Sequence, residues 1–142
     1  MVPVSRDHHQ ALLLSWKLER GIAKAVEAKR MSAYCRWFWD EHLLPHFMLE
    51  ESFIFPVLGN DHPLIVQALA DHEGIKALIH REPPAISTFA ALAALIKTHV
   101  RLEERSIFTA VQQIATPEQF ADISKHHSHA VFIENTADEF WI

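Results

Sequence analysis

The chain has a single cysteine, Cys35, and only three glycines. One thiol excludes a disulfide framework and a cysteine-type zinc site, and it suits a reducing compartment. Positive charge is in deficit: thirteen Lys plus Arg against eighteen Asp plus Glu leave a net charge of -5. With no basic stripe, that balance argues against a nucleic-acid surface. No apolar run reaches the ~18 residues of a membrane span. The opening stretch MVPVSRDHHQ lacks the apolar core of a secretory signal. The expectation is a soluble, cytoplasmic protein with neither membrane nor nucleic-acid partners. No segment alternates as a half-buried strand does, and 142 residues fit one domain with a substantial core.

What is abundant is histidine, eleven residues against thirteen Lys plus Arg. The excess is organised. His46 to Leu58 reads HFMLEESFIFPVL, and His99 to Val111 reads HVRLEERSIFTAV. Each is His-x-x-x-Glu-Glu followed by an Ile-Phe run. Residues four apart share a helix face, so His46 faces with Glu50 and His99 with Glu103. The repeat extends upstream, where Asp7-His8 parallels Asp71-His72. The half-unit is therefore Asp-His on one helix and His-x-x-x-Glu on the next.

Apolar spacing predicts the helices that carry these groups. A first helix is expected from a Ser5 cap to about Arg30, with Ala11, Leu12, Leu14 and Leu18 inward and Gly21 as a local weak point. A second runs from a Ser32 cap to about Leu58. Pro45 in its interior predicts a kink that aims His46. A third begins near Asp61 and Pro63 and ends around Arg81. A fourth runs from Ser87 or Thr88 to about Ala115. Thr116-Pro117-Glu118-Gln119 is a capping box that opens a short fifth helix to about Ala130. Four long helices with short loops predict an all-α, antiparallel up-down-up-down bundle. The tail, 131–142, ends Phe140-Trp141-Ile142. It packs on the bundle or on a partner, and left exposed it would suit a homodimer.

In such a bundle the two half-units face each other. His8, His46, His72 and His99 converge with Glu50 and Glu103 in an apolar core, and the two glutamates can bridge two divalent ions. Nitrogen and carboxylate donors with open positions suit iron better than a closed zinc site. An inward carboxylate without such a partner would be costly. His9 is the alternative to His8, although the parallel with His72 favours His8. His42, four residues before His46, reads as a wall residue or a donor to the groups behind the ligands before it reads as a ligand. Asp7 and Asp71 read as helix-start residues, or else as groups that orient imidazoles. Glu51 and Glu104 lie about 100° round the helix from their neighbours and read as solvent or salt-bridge residues. The run His126-His127-Ser128-His129 reads as solvated, and Cys35 as a small buried hydrophobe.

The pattern His8, then His46 and Glu50 with Ile54-Phe55-Pro56, then His72, then His99 and Glu103, resembles the hemerythrin-like HHE cation-binding domains of the bacterial type. The resemblance covers about 5–115, leaving 116–142 as a C-terminal helix and tail of the same domain. It implies a four-helix bundle around a non-heme di-iron centre, oxo- or hydroxo-bridged and spanned by two carboxylates. It also implies a small diatomic ligand or peroxide as partner. The O2-carrying hemerythrins use a fifth histidine four residues after the third-helix one. Here that position is Lys76, expected near the gap, and the fourth helix carries Glu103. Reversible O2 carriage is thereby disfavoured against sensing, scavenging or iron storage. A di-iron enzyme and an interaction module with a structural metal are the rival expectations.

Overall fold

A computed structural model of the chain describes every residue except His129, with Val2 described through its backbone alone. Its described residues are helical or irregular, with no strand among them. Helix α1 spans Val2–Ala23, α2 spans 28–58, α3 spans Pro63–Ile79, α4 spans 86–114 and α5 spans Pro117–His126. Helix α1 packs along α4, and α4 along α3.

The first two helices part earlier than apolar spacing suggests. Helix α1 begins ahead of Ser5, with Pro3 in its first turn, where the missing N–H costs nothing. The Ser5 hydroxyl donates instead to Glu104 Oε2 at 3.1 Å. Ala25 takes a left-handed φ of 56°, which stops the helix short of Arg30. Helix α2 then starts at Ala28, so Ser32 is buried inside it and caps nothing. Gly21 serves a close approach: a methyl group there would lie 2.7 Å from Met31 Sδ and 2.9 Å from Phe140.

Pro45 does not break α2. The turn before it widens, and Leu44 N–H reaches the Trp39 carbonyl five residues back. A widened turn relieves both the missing donor and the clash of the proline ring with the preceding turn. Two more widened turns open at Glu50 and at Glu103, closed by Phe55 N–H on Glu50 O and by Phe108 N–H on Glu103 O. Helix α4 contains no proline, so the feature belongs to the repeat and not to proline.

Two buried apolar clusters result. One holds Leu14, Leu18, Phe38, Phe47, Ile75 and Ile96; the other holds Val4, Leu49, Ile54, Phe55, Ile65 and Val111. Leu12, expected inward, is 41 % exposed. Along α1 to α4, the positions between the clusters are His8, His46, Glu50, His72, His99 and Glu103, all buried.

The tail folds back on its own bundle. Phe140 and Trp141 are buried edge-on against Tyr34. Buried Lys17 pairs with Glu134 and faces the Trp141 ring at 4.4 Å. Tyr34 O–H donates to Glu134 Oε1 at 2.5 Å, and Arg20 Nε–H to the Trp141 carbonyl at 2.8 Å. The exposed aromatic end on which a homodimer or partner-docking expectation rested is therefore absent. No helix among the described residues is long and apolar enough to cross a membrane.

Candidate metal centre

The six inward residues come together in two overlapping groups. His8, His46, Glu50 and Glu103 form one, and Glu50, His72, His99 and Glu103 the other. In each group the four donor atoms lie within 4.8 Å of one another. Both groups contain both glutamates. Each glutamate sits four residues after a histidine on its own helix: His46 Nε2 is 3.4 Å from Glu50 Oε2, and His99 Nε2 is 3.0 Å from Glu103 Oε1. The Asp-His helices close the other side. His72 Nε2 is 3.2 Å from Glu50 Oε1, and His8 Nε2 is 3.1 Å from Glu103 Oε1.

The inward-facing atoms fit a cation. Both Glu50 oxygens, Glu103 Oε2 and His46 Nε2 are buried and make no hydrogen bond among the described residues. Such groups are normally satisfied, because a buried polar atom without a partner costs about 1–3 kcal/mol. His72 Nε2 and His99 Nε2 approach to 3.2 Å, two ring nitrogens converging on one region. A family model described as hemerythrin HHE cation binding domain matches residues 4–111. The chain belongs to this family. No curated protein and no solved structure matches the chain.

In this HHE chain all four imidazoles are held from behind by carboxylates. His46 Nδ1–H donates to Asp7 Oδ2 at 2.9 Å, and His99 Nδ1–H to Asp71 Oδ2 at 3.0 Å. His8 Nδ1–H donates to Glu104 Oε1 and His72 Nδ1–H to Glu51 Oε2, each at 2.7 Å. Asp7 and Asp71 thus orient imidazoles, and neither starts a helix. Glu51 and Glu104 are salt-bridge residues, but their partners are buried rings of the opposite half-unit. The signal was in the doublets. Adjacent helical residues diverge by about 100°. Of each Asp-His or Glu-Glu pair, one member faces the centre and the other faces the neighbouring helix. Flat rings complete the clamp: Phe47 stacks on His72 at 3.7 Å between centroids, and Phe108 on His8 at 5.4 Å.

The remaining candidates separate cleanly. His8 is buried and His9 exposed. Lys76 is exposed, so it does not fill the place of a fifth histidine. His42 lies outside both groups; its Nε2–H donates to the Asp7 carbonyl at 3.3 Å, and its ring packs on Phe38 and Phe132. His126 stacks on Phe53, while His127, expected in solvent, is buried with Nε2 2.9 Å from Asp7 Oδ2. His129 lies outside the described residues.

The buried charges predict a pH dependence for the chain stripped of metal. Burial disfavours the imidazolium of His99, but Glu103 and Asp71 outweigh it and push the ring up to about 10. His46 is likewise raised, with Glu50 overcoming burial. A group raised above its unfolded value near 6.5 stabilises the fold fully below that value. The contribution is lost as pH climbs to the folded value. The chelated chain should therefore lose stability between pH ~6.5 and ~10. A bound metal, which displaces these protons, should flatten that slope. Urea midpoints across this window would test it, and a flat profile for the chelated chain would contradict the assignment.

Proposed function

We propose that the chain is a non-heme di-iron protein that engages O2, peroxide or NO as a sensor, scavenger or iron store. The observation that carries this reading is the sharing of Glu50 and Glu103 by both donor groups. His8 and His46 would serve one ion, His72 and His99 the other, and the two carboxylates would bridge them. A donor set of imidazole and carboxylate without thiolate suits iron. Short loops between four long helices support an antiparallel up-down-up-down arrangement around the pair.

When bound, the iron pair would supply the redox chemistry and the affinity for a small oxidant. The chain supplies the rest. Asp7, Asp71, Glu51 and Glu104 hold the imidazoles in one tautomer with Nε2 directed inward. A cavity of about 10 Å³ beside His8, His46 and His99 is walled by Leu43, Phe47, Ile75 and Ile96. Its size admits about one water-sized molecule, and its walls beyond the polar residues of the site are apolar. The small partner, and not a nucleic acid or a membrane, is the ligand of this reading, in a reducing cytoplasm that suits the buried Cys35 thiol.

A second reading, a di-iron oxidoreductase acting on a substrate or on peroxide, draws on a separate feature. A cleft of about 550 Å³ lies between α2 and the segment after α5. Asp7 and His46 stand in its wall beside Arg6, Trp37, Glu41 and Phe132. That volume falls in the range of small-molecule sites. Metal content by mass spectrometry, with absorption spectra before and after anaerobic reduction and O2 exposure, tests the first reading. The expected result is two irons per chain with oxo-bridge bands that respond to O2. One zinc, or no metal and no spectral change, would return the site to a structural role. Repeated turnover of peroxide, or of NO with a reductant, would favour the enzyme over a binder.

A further inference from the structure

The two half-units are alike in what touches the imidazoles and unlike in what holds the carboxylates behind them. Asp71 receives His99 on Oδ2 and the Gln67 side-chain amide on Oδ1, the latter at 2.8 Å. Gln67 stands four residues before Asp71, one turn back on the same helix. A carboxylate with one donor still turns about its own axis; a donor on the second oxygen fixes its plane, and so the plane of the ring it holds. The residue four before Asp7 is Pro3, whose side chain has no donor. The first half-unit therefore lacks its own equivalent of Gln67.

Asp7 takes its second donor instead from His127, at the far end of the chain, which restrains the carboxylate by a second bond to one oxygen and not by a bond to each. The His127 Nε2–H donates to Asp7 Oδ2 at 2.9 Å, on the oxygen that also accepts from His46. Its position is fixed from both directions. Upstream, α5 opens with a complete capping box at Thr116 and Gln119. Ile123 is buried in the apolar cluster, and the His127 N–H bonds to the Ile123 carbonyl at 3.0 Å. Downstream, Glu134, Asp138 and Trp141 are tied to Lys17, Arg30 and Arg20. The segment lies outside the family match, which ends at residue 111.

We propose that His127 is a positioning residue of the metal centre, supplied by the C-terminal segment to hold Asp7, and through it His46. Retention of the ion on the His8–His46 side then depends on docking of the segment. Retention on the His72–His99 side depends on Gln67 within its own helix. The inference rests on the two-ion reading above.

The test is release of cobalt(II) from the loaded full-length chain to excess chelator, followed by the visible bands of the bound ion. Loss of a carboxylate that directly supports a metal-binding histidine costs about 10–100-fold in metal affinity. His127 acts one hydrogen bond further out, so His127→Ala should release one of the two ions about tenfold faster and leave the other unchanged. Gln67→Ala should speed the other ion. His127→Gln, which keeps an N–H donor, should restore much of the retention. So should Pro3→Gln combined with His127→Ala, which rebuilds the amide of the second half-unit without touching the tail. Unchanged release in His127→Ala would overturn the proposal. So would faster release that Pro3→Gln fails to rescue, because packing and not the donor would then be the cause. If the wild type binds a single cobalt, the two-ion reading fails and takes the proposal with it. Two ions with no effect of His127→Ala would sink the proposal alone.

Discussion

Glu50→Ala is expected to strip the chain of both metal ions, whereas His8→Ala or His72→Ala should cost mainly one. The reason is the shared membership of the two donor groups. Glu50 Oε2 lies toward His46 and Oε1 toward His72, so its carboxylate faces both halves at once. Each histidine belongs to one group alone. Removing a shared carboxylate leaves each group with three residues and takes a negative charge from between two cations. Glu103→Ala should match Glu50→Ala, since Glu103 faces His99 on one side and His8 on the other. The fold should survive these changes, because the apolar clusters on either side of the polar layer do not include the glutamates. Metal per chain, measured after gel filtration, gives the answer. Glu50→Ala with two irons and an unaltered spectrum would refute the bridging role. A loss of only one ion in both glutamate variants would replace a shared pair with two separate sites.

How far such a centre can be read from the sequence depends on whether the interacting residues share a helix. His46 with Glu50 and His99 with Glu103 are legible because helix geometry alone fixes the four-residue relation. His8 and His72 follow from the repeat. The orienting roles of Glu51, Glu104, Asp7 and Asp71 act across helices, and spacing within one helix cannot show which neighbour an outward residue will meet. Pro45 announces a distortion but not its form. The widened turns at Glu50 and Glu103 leave no mark, since the intervening residues are ordinary helix formers. Gly21 reads as a weakness until Met31 and Phe140 are seen against it. The break after α1 is not legible, because alanine, here Ala25, does not signal a left-handed turn. His127 is out of reach for a simpler reason: its partner Asp7 is 120 residues away, and only the packing of α5 and the tail brings the two together.

Iron(II) loading under anaerobic conditions should raise the thermal midpoint by about 8–16 °C. The argument begins with the groups the fold buries. Both Glu50 oxygens, Glu103 Oε2 and His46 Nε2 lack hydrogen bonds among the described residues, a loss of about 1–3 kcal/mol for a buried atom that the facing imidazoles offset only in part. An ion satisfies them together, and it recognises the folded chain because only the fold brings together donors that four separate helices carry. A ligand held at a thousandfold excess over its dissociation constant adds about 4 kcal/mol to stability. For a chain of roughly this size each kcal/mol moves the midpoint by about 2–4 °C, which gives a shift of about 8–16 °C. The gain must vanish in Glu50→Ala and Glu103→Ala, whose melting should be indifferent to iron. Calorimetry of chelated and loaded protein, wild type beside both variants, separates this from a nonspecific salt effect. A wild-type shift of a degree or two would mean that the protonated histidines already balance the buried carboxylates in full. The metal would then be incidental to the fold.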